Sequence, residues 1–204
     1  MHRDGEVINT LAVPSVLDSE EIYVRLTTDY PFKNSFKYEI EARADIDFTV
    51  RVPSFALDLR VGGVARDTGD ITLTLNAGDR REMTVEYTTE PYFEDRPGEL
   101  VSARCGSLVF SVPIEYEKKM YEYEKNGVER KFPYCDYELI PKSEWRYGFA
   151  DDEFEVINSK GDDIPFSSKN PPVTMTAKMK QIPWGLAERH ENVCAKVPES
   201  RTPI

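Results

Sequence analysis

"SFKYEIEA", residues 35–42, alternates without a break. Phe36, Tyr38, Ile40 and Ala42 fall on one side, and Lys37, Glu39 and Glu41 on the other. A repeat of two is the period of a pleated strand, whereas a helix would scatter those four apolar residues around its circumference. The stretch therefore reads as a strand with one face in a core and one in water. The same signature recurs in "IDFTVRV" (Ile46, Phe48, Val50, Val52), "ITLTL" (Ile71, Leu73, Leu75) and "REMTVEY" (Met83, Val85, Tyr87). It returns near the end in "VTMTAKM" (Val173, Met175, Ala177, Met179). Turn-forming runs separate them: "VGGVARDTGD", "NAGDR", "DRPG" and "NSKGDD". Short alternating strands at this spacing predict an all-β chain, a β-sandwich or jelly roll.

With 204 residues there is room for two such sandwiches, and residues 1–112 and 113–204 are the expected units. The stretch "IEYEKKMYEYEKNG" between them fits a short helix or a solvated excursion equally well, and marks the joint. The last residues, "AERHENVCAKVPESRTPI", read as a polar tail.

Composition narrows the partners. The net charge of −11 argues against nucleic acid, whose binding needs a basic surface to displace counterions. It disfavours anionic lipid for the same reason. No stretch approaches the ~18 apolar residues of a membrane span, and the N-terminus lacks a signal-peptide core. Cys105, Cys135 and Cys194 are odd in number and widely spaced, and no Asn-x-Ser/Thr sequon occurs. A cytoplasmic location is the expectation.

The search for chemistry yields little. In "ELVSARCGSLVFSVPIEY", residues 99–116, Cys105 sits between Arg104 and Gly106, one recipe for an activated thiol. The apolar "SLVFSV" that follows predicts a buried strand, in which a cysteine is a small apolar filler, and no histidine lies nearby in sequence to take its proton. His190 and Cys194 are spaced to share a metal on a helix, but their polar, proline-bearing surroundings read as tail. The acidic runs at 151–153 and 161–163 lack the ligand spacing of a calcium loop and read as solvated turns. No catalytic, metal or cofactor residue is assigned. The aromatic residues are the remainder: Trp145, Arg146 and Tyr147 in "SEWRYGF", and Trp184 in "QIPWGLAER". Flat rings beside a guanidinium suit the C–H faces and hydroxyls of a carbohydrate. Equally, both tryptophans suit packing against the core or a neighbouring domain.

The order of segments carries more. "VPSVLDSEEIYVRLTTDYPFKNSFKYEI", "FTVRVPSFA", "LNAGDRREMTVEY", "RCGSLVFSVPI", "CDYELIPKSEWRYGF" and "PFSSKNPPVTMTAKMKQIPWGL" follow one another from Val13 to Leu186. This series resembles the C-terminal region of the beta-L-arabinofuranosidase-like glycoside hydrolases, family 127 and its relatives. "TDYPF", "RVPSFA" and the W-x-Y-G of Trp145 to Gly148 are its most specific parts. In that family Cys105-Gly106-Ser107 is usually Arg-Gly-Pro, so the resemblance implies that the thiol here is an incidental substitution. It further implies one or two β-sandwiches that buttress a helical (α/α)6 barrel and help form a homodimer. The barrel carries the family's zinc-bound cysteine and catalytic glutamates, and nothing in this chain resembles it. The implied role is a non-catalytic accessory region. Trp145, Arg146, Tyr147 and Trp184 are then candidates for contact with the barrel or with sugar, and an independent carbohydrate-binding module is the alternative.

Overall fold

The computed structural model describes residues 2–3, 5–167, 169–187 and 190–198, with the backbone alone for 2–3 and 190–193. Every regular element among them is a strand. The chain divides into two compact units, Met1–Glu94 with Ser102–Val109, and Asp95–Val101 with Phe110–Ile204.

The first unit begins with β1 (His2–Arg3), β2 (Glu6–Asn9), β3 (Ser15–Asp18), β4 (Ile22–Thr28), β5 (Ser35–Ala42) and β6 (Ile46–Val50). It continues through β7 (Leu57–Val61), β8 (Val64–Ala65), β9 (Ile71–Leu75) and β10 (Arg80–Thr88). Then come β11 (Pro91–Arg96), β12 (Leu100–Cys105) and β13 (Leu108–Val109), of which residues 95–96 and 100–101 belong to the second unit. One sheet has the order β1-β2-β6-β9 and the other β3-β4-β5-β10-β7-β8. Only β2 and β6 run parallel in these two sheets, among the described residues. The connections match the turn chemistry: Gly62 and Gly63, at φ 57° and 80°, form a two-residue hairpin that places Val61 opposite Val64. Such a turn needs positive φ at both central positions, which glycine adopts without steric cost.

The alternation becomes a core. Phe36, Tyr38, Ile40 and Ala42 of β5 meet Ile22, Val24 and Leu26 of β4 and Met83, Val85 and Tyr87 of β10. Val7, Ile46, Phe48, Val50, Ile71 and Leu75 of the other sheet complete the same cluster. Tyr38 packs edge-on against Phe48, ring centroids 5.7 Å apart. Its hydroxyl donates to Asn9 Oδ1 at 3.2 Å, which keeps a buried polar group partnered. Burial pushes that hydroxyl's pKa well above its ordinary value. Thr49, the buried polar residue of β6, shares a hydrogen bond of 2.9 Å with Thr72. On the outer face the intervening charges pair across strands, as Arg25–Glu39, Lys37–Glu82 and Arg80–Glu41 at 3.6, 3.4 and 3.2 Å. These exposed pairs contribute little each, about 0–1 kcal/mol. Burial of the inner face holds the unit together.

The second unit contains β14 (Tyr116–Tyr121), β15 (Tyr123–Lys125), β16 (Val128–Arg130) and β17 (Asp136–Pro141). After these come β18 (Tyr147–Asn158), β19 (Val173–Gln181), β20 (Leu186–Ala187) and β21 (His190–Cys194). They pair antiparallel as β14-β17, β15-β16, β18-β19 and β20-β21. In β19 the alternation persists, with Val173, Met175, Ala177 and Met179 half-buried and Thr174, Thr176 and Lys178 exposed.

Three local expectations change. "IEYEKKMYEYEKNG" is strand, because cross-strand partners in Asp136–Pro141 satisfy its backbone and align Lys118 with Leu139 and Met120 with Tyr137. "SLVFSV" keeps its ladder only for Leu108–Val109. Beyond it residues 110–115 are irregular, and Pro113 has no N–H to give a ladder. Residues 151–153 lie within β18, where the register shifts between Phe149 and Phe154, so they are a strand irregularity rather than a turn. Part of the tail reading, residues 188–189 and 199–204, lies outside the described residues.

Candidate functional site

The sequence candidates converge at one corner of the second unit. Tyr147 opens β18 and lies opposite Gln181 at the end of β19. Arg146 O accepts from Ile182 N at 2.9 Å, which extends the ladder by one step and brings the two tryptophan segments together. The "IPWG" stretch bends there, with Trp184 N donating to Ile182 O at 2.8 Å. The Trp145 and Trp184 rings meet edge to face, centroids 5.0 Å apart and planes at 64°. That geometry suits the ring quadrupoles, which disfavour a face-to-face sandwich. Trp184 Nε1 donates to Ala195 O at 2.8 Å, so the indole's polar atom is partnered while its ring stays half-buried.

Glu144, which the sequence reading passed over, organises the approach. Its Oε1 and Oε2 accept from Arg146 Nε and NH2, both at 2.8 Å. Oε1 also accepts the backbone N–H groups of Trp145 and Arg146 at 3.0 and 3.1 Å. The Arg146 side chain, followed by those two N–H groups, holds the Glu144 carboxyl at a pKa of about 2. A carboxylate two residues before an arginine was the available signal. Arg146 itself is exposed and its fork is spent on Glu144, so it orders this corner.

The two half-buried indoles offer apolar ring surface to a ligand or a neighbouring domain. Among the described residues no group of three or more His, Cys, Asp or Glu side chains is placed to hold a metal ion. His190 and Cys194 lie on strand β21 rather than on a helix, where four residues span about 13 Å of backbone. The His190 side chain is outside the described residues. Lys178 pairs with Asp151 and Glu153 at 3.0 and 2.6 Å, which draws the Asp151 carboxyl below its usual range. Cys105 is half-buried on β12, its Sγ 3.3 Å from Thr89 Oγ1. The neighbouring Arg104 turns its guanidinium to Glu94 and to Ser107 O, so the cation of the activated-thiol recipe is engaged elsewhere. No helix among the described residues is long and apolar enough to cross a membrane.

Sequence comparisons with protein families and with curated proteins find no match. Solved structures do show a likeness. A GH127 beta-L-arabinofuranosidase from Geobacillus stearothermophilus T6 is 11% identical, with TM-score 0.44, over 88% of this chain and 31% of its own. A GH127 beta-arabinofuranosidase is 12% identical, with TM-score 0.41, over 86% and 31%. A further glycoside hydrolase is 13% identical, with TM-score 0.34, over 78% and 28%. This chain is therefore similar, along most of its length, to less than a third of each of those proteins.

Proposed function

We propose that the chain is a non-catalytic accessory region of a beta-L-arabinofuranosidase-like glycosidase, which packs on a helical catalytic barrel, on a second copy of itself, or on both. The observation that carries this reading is the apolar surface of the second unit. Every residue from 113 to 134 is exposed, among them Tyr116, Met120, Tyr121, Tyr123 and Phe132, with Phe132 and Tyr134 at 71% and 80% of their full surface. A two-stranded hairpin is at best marginally stable in water, and this many large apolar side chains left exposed on one point to an interaction site. The order of segments from "TDYPF" to the W-x-Y-G stretch, which resembles the region following the barrel in family 127, supports the identity of the partner.

The test is mixing. The purified chain should not hydrolyse an aryl arabinofuranoside above background, and should co-elute with a separately produced helical barrel of the family 127 type. Hydrolysis by the chain alone, or a chain that neither co-elutes with the barrel nor self-associates, would end this reading.

Carbohydrate binding is the second reading, favoured by the half-buried Trp145 and Trp184 pair. Arabinose-containing oligosaccharides should then quench tryptophan fluorescence saturably, and Trp184→Ala should abolish the effect. An unchanged spectrum at saturating sugar would remove it.

A further inference from the structure

We infer that the outer edge of β14 is a docking strand for β14 of a second copy, the two pairing antiparallel about a two-fold axis through Lys118. The inference deepens the accessory reading and rests on it for the expectation of a partner, but its own observations are local. β14 pairs only with β17 among the described residues, and all six of its residues are exposed. Its far edge presents backbone donors and acceptors that a further strand would satisfy.

The strand's own sequence states which strand fits. A two-fold axis relating neighbouring antiparallel strands stands normal to the sheet, so the two faces stay in common and one residue lies on the axis. With Lys118 there, Tyr116 faces Met120 of the other copy and Glu117 faces its Lys119, each pair occurring twice. With Glu117 on the axis two carboxylates meet, and with Lys119 there two ammoniums meet and no opposite charges do. Within β14 only the register on Lys118 joins Glu to Lys, and cross-strand pairs of opposite charge stabilise a sheet while like pairs do the reverse.

The residue on the axis has its charge drawn aside. Lys118 Nζ lies 3.8 Å from the centre of the Tyr137 ring on β17, a cation–π contact directed away from the open edge. The register of β14 on β17 places Tyr116, Lys118 and Met120 on the same side as Pro141, Leu139 and Tyr137. Joining two copies gives a four-stranded sheet, β17-β14-β14-β17, with Tyr116 and Met120 of both copies side by side in its middle. Thioether and aromatic ring make favourable contacts there. Lysines on an edge also serve to repel other strands. Here each Lys119 meets a carboxylate of the mate, which turns the guard into a specificity element.

Sedimentation of the whole chain tests the pairing. The wild type should form a concentration-dependent dimer. Glu117→Lys, which sets Lys against Lys in both outer pairs, should weaken it at least about tenfold. The exchange Glu117→Lys with Lys119→Glu should restore it. Glu117 also pairs with Lys142 at 2.8 Å, and Lys119 lies opposite Glu138 in its own hairpin. The double exchange restores neither of these, so a rescued dimer reports the contact between copies. Unchanged tryptophan fluorescence would show each variant folded. A wild type that stays monomeric, a dimer indifferent to Glu117→Lys, or one that the double exchange fails to restore overturns the inference. None of these results touches co-elution with the barrel, which tests the accessory reading separately.

Discussion

The two units spend similar residues differently. In the first, Phe48 and Tyr38 are each 1% exposed, and nineteen buried side chains form one cluster between two sheets. In the second, the buried hydrophobic residues among those described are Cys135 and Ile182, while Phe132, Tyr134 and Leu139 stand mostly in water. Both units contain antiparallel ladders, so hydrogen bonding does not separate them. What separates them is whether the apolar face of a ladder finds another face to cover it. A sheet gains its stability from that cover, because each backbone hydrogen bond replaces one to water and contributes only about 1 kcal/mol net. The contrast teaches that the first unit closes a core of its own, whereas the ladders of the second leave most of their large apolar side chains exposed.

Truncation in the closed core should do the most damage. Phe48→Ala removes a ring at the centre of the cluster and should cost about 3–5 kcal/mol, read from the urea midpoint by circular dichroism. A loss below about 1 kcal/mol would mean that the inner faces do not hold the first unit, and the contrast would fail.

Ile182→Ala should cost less, about 2 kcal/mol, because among the described residues it and Cys135 are the buried hydrophobic residues of the second unit and no large cluster closes over them. Both tryptophans belong to the second unit, so their fluorescence follows this transition specifically. A cost equal to that of Phe48→Ala would show a core there as tight as the first, and would blur the distinction.

The smallest effect is expected at Glu144. Its folded pKa, about 2, lies below its ordinary value of 4.5, so the stabilisation is complete above about pH 4.5 and disappears as pH falls through about 2. Acidification should therefore loosen the Trp145 and Trp184 corner in that window, seen as a change in tryptophan emission. Glu144→Gln should remove the pH dependence at neutral fold. A change in emission confined to higher pH would sever the link between the carboxylate and the indoles.

Much of the first unit was legible because its strands alternate. Met83, Val85 and Tyr87 of "REMTVEY" are buried, and Glu82 and Glu86 between and beside them are exposed, as the period of two requires. The glycines of "VGGV" announced their hairpin through the backbone they permit. "IEYEKKMYEYEKNG" was ambiguous because tyrosines, glutamates and lysines serve both a helix and an exposed strand. Only the pairing with Asp136–Pro141 chose between them. At the candidate site the sequence displayed Trp145, Arg146, Tyr147 and Trp184 but could not join them, since residues 147 and 181 become neighbours only through the β18–β19 ladder. Glu144 escaped notice for a related reason: a carboxylate earns its role from the donors that surround it, and those are set by the fold.

By itself, then, the order of residues determined that the chain is pleated, where its strong strands lie and where they turn, because side-chain direction along a strand is a local consequence of backbone geometry. Which apolar faces are covered, which indoles touch and which strand edge is left open are properties of segments far apart in the chain. Tertiary structure alone decided those, because burial and cross-strand pairing depend on what the rest of the molecule brings alongside.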